Sequence, residues 1–128
     1  MAGKRILSLD TNLEFVECLG QLLKDNGYES LVSTSERWAM AILRTLSIDL
    51  FTQNLRRAGM GGWDFVREMK SDPALRHIPV LIVSAATRDS QKDAARQYGV
   101  AMDSDLAGYF EKPVDEPELL EAIRECLR

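Results

Sequence analysis

What the chain has little of narrows its chemistry first. Its single histidine, His77, stands in a polar stretch before Pro79, which leaves no histidine-based metal cluster or catalytic triad to assemble and reads as a solvated loop residue. Cys18 and Cys126 have no second cysteine or histidine at metal-ligand spacing, and their apolar helical neighbours predict buried free thiols. No apolar run approaches the roughly 20 residues of a membrane helix. Residues 1–5 lead into a short apolar patch rather than a signal-peptide core, so cytoplasmic residence is expected, with no membrane contact. Positive charge is short as well: the net charge of −4 speaks against nucleic acid or an anionic membrane as a direct partner.

What is present is an alternation of strand and helix signals. With 128 residues, 45% of them hydrophobic, the chain suits one domain (residues 1–128) with a core that needs neither disulfide nor metal. Ile6, Leu7 and Leu9 form a short strand, and Asp10-Thr11-Asn12 favour a helix start. Phe15, Cys18, Leu19, Leu22 and Leu23 then recur at helical spacing until Asn26-Gly27. Residues 29–32 read as a second strand; Ser33 with Glu36 reads as a capping box, opening a helix with Trp38, Ile42 and Leu46 turned inward. Residues 48–53 make a third strand, followed by a loop with Gly59 and Gly62 and by a helix burying Phe65, Val66 and Met69, which Asp72-Pro73 ends.

Val80-Leu81-Ile82-Val83 is an unbroken aliphatic run, as in a strand covered on both faces, and it ends on Ser84-Ala85-Ala86. Residues 87–99 predict a helix that buries little beyond Ala94, Ala95 and Tyr98. Gly108-Tyr109-Phe110-Glu111 is the fifth strand, and Asp115 with Glu118 opens a last helix carrying Leu119, Leu120, Ile123 and Leu127. Five βα units predict a three-layer α/β/α fold, a five-stranded parallel sheet of flavodoxin-like order 2-1-3-4-5. Residues leaving such strands at one edge meet in space: Asp10 and Thr11, Asn54, Ser84, and Lys112.

Six stretches in this order carry a resemblance: Ile6-Leu7-Ser8-Leu9-Asp10, Asp49-Leu50-Phe51-Thr52-Gln53-Asn54, Gly59-Met60-Gly61-Gly62, Asp72-Pro73-Ala74-Leu75-Arg76-His77-Ile78-Pro79-Val80, Ser84-Ala85 and Glu111-Lys112-Pro113. Over essentially its whole length the chain resembles the receiver domain of bacterial two-component response regulators, whose stand-alone form is the chemotaxis-regulator type. The resemblance implies an aspartate after the third strand that takes a phosphoryl group from a histidine kinase, aided by magnesium on that aspartate and on an acidic pair after the first strand. Here the acceptor position is Asn54, and the second acid of the pair is Thr11. Ser84 and Lys112 keep the family's hydroxyl and lysine; Tyr109 stands at the aromatic position that the hydroxyl couples to, and a cis Lys112–Pro113 bond is implied. The resemblance also implies protein partners, a histidine kinase or an output domain, meeting the face made by the fourth helix, fifth strand and fifth helix. Homodimerisation there is left open.

Chemistry gives these departures a consequence. An amide lacks the charge and the free lone pair with which a carboxylate attacks phosphorus, so Asn54 is not expected to form an acyl phosphate. Magnesium prefers charged oxygen ligands, and with Asp10 as the residual acid its binding is expected to be weak or absent, with no other cofactor called for. Asp10 and Lys112 cancel in charge, where the family's three acids and one lysine leave −2. Each residue also has a plainer role: Asp10 as a helix cap, Ser84 as a backbone-bonded hydroxyl, Lys112 as a structural tie to Asp10 or to the Asn54 oxygen, Tyr109 as a half-buried strand tyrosine. Residues 100–106 are an insertion relative to the family, either a solvated loop or a reshaped docking surface. The expected function is a phosphorylation-independent interaction module. The alternatives are a conventional receiver phosphorylated on another acid such as Asp10, and a small-molecule sensor offering an anion Lys112 and the backbone amides around Gly59 and Gly62. No nucleophile–base pair supports an enzyme.

Overall fold

The computed structural model describes residues 3–55 and 62–128; of the glycine loop read from the sequence, Gly62 is described and Gly59 lies outside. Five strands, β1 (Arg5–Leu9), β2 (Glu29–Ser33), β3 (Leu50–Gln53), β4 (Val80–Ser84) and β5 (Gly108–Glu111), pair in parallel in the order β2-β1-β3-β4-β5. The predicted order and class hold.

Between the strands run α1 (Leu13–Asp25), α2 (Glu36–Thr45), α3 (Trp63–Ser71), a 3-10 turn (Asp89–Gln91) leading into α4 (Lys92–Gln97), a one-turn α5 (Met102–Asp105), and finally α6 (Glu116–Cys126). Strand side chains alternate between two cores. Ile6, Leu50, Leu81 and Val83 pack with Leu19 and Leu23 of α1 and with Leu119 and Ile123 of α6. Leu7, Leu9, Phe51, Val80 and Ile82 pack with α2, α3 and Ala95 of α4. The layers are therefore α1 and α6 on one face, and α2, α3 and α4 on the other.

Helices α1, α2 and α6 start on side-chain caps. Asn12, Ser35 and Asp115 each accept a hydrogen bond from the backbone N–H three residues on. Ser35, not Ser33, caps α2; the Ser33 hydroxyl instead donates to the Ser35 carbonyl and accepts from its N–H, closing a turn just before the helix. The inward face of α2 also differs from the expected one. Ala39 and Leu43 are buried, while Trp38 is 69% exposed and Leu46 43%. The rotation has a simple cause: Trp38, Ile42 and Leu46 sit one position before the row that meets the sheet, and α2 carries apolar residues on both rows.

Helix α1 shows a similar shift. It buries Val16, Leu19, Gly20 and Leu23, leaving Phe15 and Leu22 half-buried. Cys18 is exposed and Cys126 half-buried, which corrects the expectation of two buried thiols. Burial still pushes the Cys126 thiol above its ordinary pKa. His77 is an exposed loop residue, as expected. The insertion at residues 100–106 is neither bare loop nor featureless: Val100 is buried, α5 fills its middle, and the Asp105 carboxylate accepts from the Ala101 N–H.

Candidate functional site

The site forms where backbone hydrogen bonds carry the sheet one residue past its strands. The N–H groups of Asp10, Asn54 and Lys112 donate to the carbonyls of Ser33, Leu9 and Ser84, at 3.1, 3.0 and 2.8 Å. Three residues far apart in sequence are thereby set in a row at the C-terminal edge. Ser84, the last residue of β4, completes the row.

Asp10 is buried, and both of its carboxylate oxygens are engaged. Oδ1 accepts from the Asn12 N–H at 2.9 Å, and Oδ2 accepts from Lys112 Nζ at 2.8 Å. Asp10 is thus not the cap of α1, a role that Asn12 takes; it holds the residue that does. Of the two ties considered for Lys112, the one to Asp10 is formed. Its ammonium also lies 3.9 Å from the ring centroid of Phe15, so a carboxylate and an aromatic face share the charge. Phe15 had been read only as a core position of α1.

Thr11 is exposed at the rim, and Asn54 is half-buried. Among the described residues the Asn54 carboxamide has no hydrogen-bond partner. Ser84 is fully buried; its hydroxyl accepts from the Ala86 N–H at 3.1 Å and lies 3.5 Å from the Leu55 carbonyl, the backbone-bonded role foreseen for it. Tyr109 is half-buried and its hydroxyl donates to the Ala86 carbonyl at 2.6 Å. Burial pushes its phenol up to about 12, with the hydrogen bond to Ser84 acting in the opposite direction. Ser84 and Tyr109 therefore meet on one loop, residues 84–86. The Lys112–Pro113 peptide bond is cis.

Two buried amides beside this row escaped the sequence reading. Gln53 Nε2 donates to the Gly62 carbonyl at 3.1 Å, and a side chain at Gly62 would meet that same nitrogen at 2.9 Å; with φ of +108° the position suits glycine on both counts. One residue on, the fully buried Trp63 donates its indole N–H to Gln91 Oε1 at 2.9 Å, fastening the turn before α4 to α3. A polar Gln53 at the end of an apolar strand was the available signal for the first. Nothing local marks Gln91 as the partner of Trp63.

Among the described residues no group of three or more His, Cys, Asp or Glu side chains is placed to hold a metal ion, and no helix is long and apolar enough to cross a membrane.

Comparison with known proteins agrees with this geometry. Residues 6–124 match the model of the response regulator receiver domain. The polar-differentiation response regulator DivK of Brucella ovis is 26% identical over 124 residues, covering 97% of this chain and 96% of its own. A response regulator receiver protein of Anaeromyxobacter sp., Anae109_2439, is 29% identical over 119 residues, 92% of this chain and 46% of its own. Among solved structures, the chemotaxis response regulator CheY4 of Vibrio cholerae superposes with a TM-score of 0.80 at 21% identity, over 98% of this chain and all of its own. A response regulator receiver protein from Pseudomonas putida gives 0.79 at 24%, over 98% of each chain.

Proposed function

This chain belongs to the response regulator receiver domain family, and we propose that within it the chain works as a phosphorylation-independent interaction module of signal transduction. The observation that carries this reading is the state of Asp10: one oxygen is held by the Asn12 N–H and the other by Lys112, beside an acceptor position occupied by the amide of Asn54. A carboxylate neutralised by an ammonium at 2.8 Å has less charge to offer a phosphorus atom or a metal ion than a free one. With Thr11 and Asn54 as its neutral neighbours, this donor set does not fit the magnesium ion that the family employs. Asp10 is accordingly no substitute phosphoacceptor, and Lys112, already shared between Asp10 and Phe15, is no free cation for a small anion. Nor does a nucleophile–base pair arise, since the Ser84 hydroxyl is occupied by backbone groups.

The module's partners are proteins of a signalling pathway, a kinase or an output domain, received on the face built from α4, β5 and α6. The test is incubation of the chain with magnesium and acetyl phosphate, read by intact mass. An unchanged mass is expected; a gain of one phosphoryl group overturns the reading.

A further inference from the structure

Residues 100–106 do more than lengthen a connection. Val100 is buried, Met102 packs against the core, and between them and α4 lies an open cleft of about 250 Å³, lined by Arg88, Lys92, Arg96, Val100, Met102 and Asp103. Half of that lining is cationic. The three basic residues recur every fourth position through the 3-10 turn and α4, which sets them in one row; Lys92 and Arg96, a helical turn apart, are about 5–6 Å from one another at Cβ. With Asp103 as its one acid, the lining carries a net +2 in a chain of net −4.

The row is held by weak partners. Arg88 meets Asp103 at 2.7 Å, Lys92 meets Asp89 at 3.1 Å and Arg96 meets Asp93 at 3.7 Å, but the three aspartate side chains are from 86 to 94% exposed. Ion pairs this open to water contribute little and yield to a better anion. Phosphate is such an anion, because its oxygens take charge-assisted hydrogen bonds from guanidinium and ammonium groups at once. Val100 and Met102 make the other side of the cleft apolar, and a methionine sulfur packs well at the edge of an aromatic ring.

From this row of displaceable cations beside an apolar wall, we propose that the cleft between α4 and α5 binds a nucleoside monophosphate, its phosphate on Arg88, Lys92 and Arg96 and its base against Val100 and Met102. Size bears on the choice. Small-molecule sites commonly run from about 300 to 1,000 Å³, so a cleft at the lower margin suits a single, partly exposed nucleotide and is too small for a dinucleotide. Inorganic phosphate would leave the apolar wall uncovered. Helix α4 also belongs to the face assigned above to protein partners, so an occupied cleft changes the charge that a partner meets; the binding itself does not rest on that assignment.

The test titrates the full chain with the monophosphates of adenosine, guanosine, cytidine and uridine, with the four nucleosides and with inorganic phosphate, followed by backbone amide NMR shifts. At least one monophosphate should shift residues 88–103, about tenfold or more tightly than its nucleoside or inorganic phosphate, and more weakly as salt rises. Lys92→Gln and Arg96→Gln, at exposed positions, should each weaken it about tenfold while leaving the thermal midpoint unchanged. Asp103→Asn removes the competing acid and should tighten it about two- to fivefold. Shifts by none of the four monophosphates, equal binding of inorganic phosphate or the nucleoside, shifts confined to other residues, or unaltered binding in Lys92→Gln and Arg96→Gln would each overturn the proposal. A phosphoryl gain with acetyl phosphate would overturn the proposed function and leave this result standing.

Discussion

Lys112 and Asp10, 102 positions apart, meet at 2.8 Å between Nζ and Oδ2 at the mouth of the sheet. The aspartate side chain is 4% exposed and the lysine side chain 20%, so the pair is largely withdrawn from water. Lys112→Met should leave a buried carboxylate without its counter-charge and lower stability by on the order of 2–3 kcal/mol. Adding Asp10→Asn should recover part of the loss, because the stranded charge is then gone. Urea unfolding of the two single variants and the double variant measures the coupling.

Restoring an acceptor should not by itself restore phosphorylation. Asn54→Asp supplies a carboxylate, yet Thr11 still leaves the metal position one acid short. Intact mass after acetyl phosphate and magnesium should stay unchanged for Asn54→Asp and rise by one phosphoryl group for Thr11→Asp/Asn54→Asp. Ready phosphorylation of Asn54→Asp alone would refute the part given to Thr11.

On α2 the two apolar rows should differ sharply. Leu43 is 3% exposed, so Leu43→Ala should cost about 2–5 kcal/mol through lost burial and the cavity left behind. Trp38→Gln should change stability by less than about 0.5 kcal/mol, since the indole is mostly in solvent. Thermal or urea midpoints of the two variants, side by side, make the comparison.

Gln91→Leu should leave the buried Trp63 indole N–H without its acceptor, at a cost of about 1–3 kcal/mol. The loss should be local as well as global. Amide hydrogen exchange should quicken first across residues 89–97, which Gln91 fastens to α3.

Tyr109 gives a dependence on alkaline pH. Its folded-state pKa of about 12 lies above the ordinary phenol value of about 10, so the folded form holds the proton more tightly. The resulting stability is fully present below about pH 10 and is lost as pH rises through about 12. Tyr109→Phe should be less stable at pH 8, having lost the bond to the Ala86 carbonyl, and should fall less steeply between pH 9 and 12. Thermal midpoints of both proteins across that range show whether the curves converge.

The strand order and the row of residues at its edge were legible because each β run is short, apolar and followed at once by a turn or a helix start. Val80 to Val83 could hardly be anything but a central strand, and Asp10, Asn54, Ser84 and Lys112 fall into one row once the order is known. Which row of a helix meets the sheet was harder to read. In α1 and α2 the apolar arc is wider than the contact, so Phe15, Cys18 and Trp38 satisfied the same periodicity as Val16 and Leu43. The engagement of both Asp10 oxygens, and the bond between Trp63 and Gln91, depend on side chains brought together from distant segments, and no local spacing announces them.

The two margins of the sheet bear on how this protein meets others. On one side β5 runs four residues before Lys112 and then Pro113, which has no N–H to offer a further strand. On the other, β2 begins at Glu29, whose carboxylate is bridged to Arg5 across the strand pair, and it spans five residues. Short margins with a proline or a charge at hand give an incoming strand little to extend. An added strand therefore finds little to pair with at either margin, and crowded chains are kept from zipping together edge to edge.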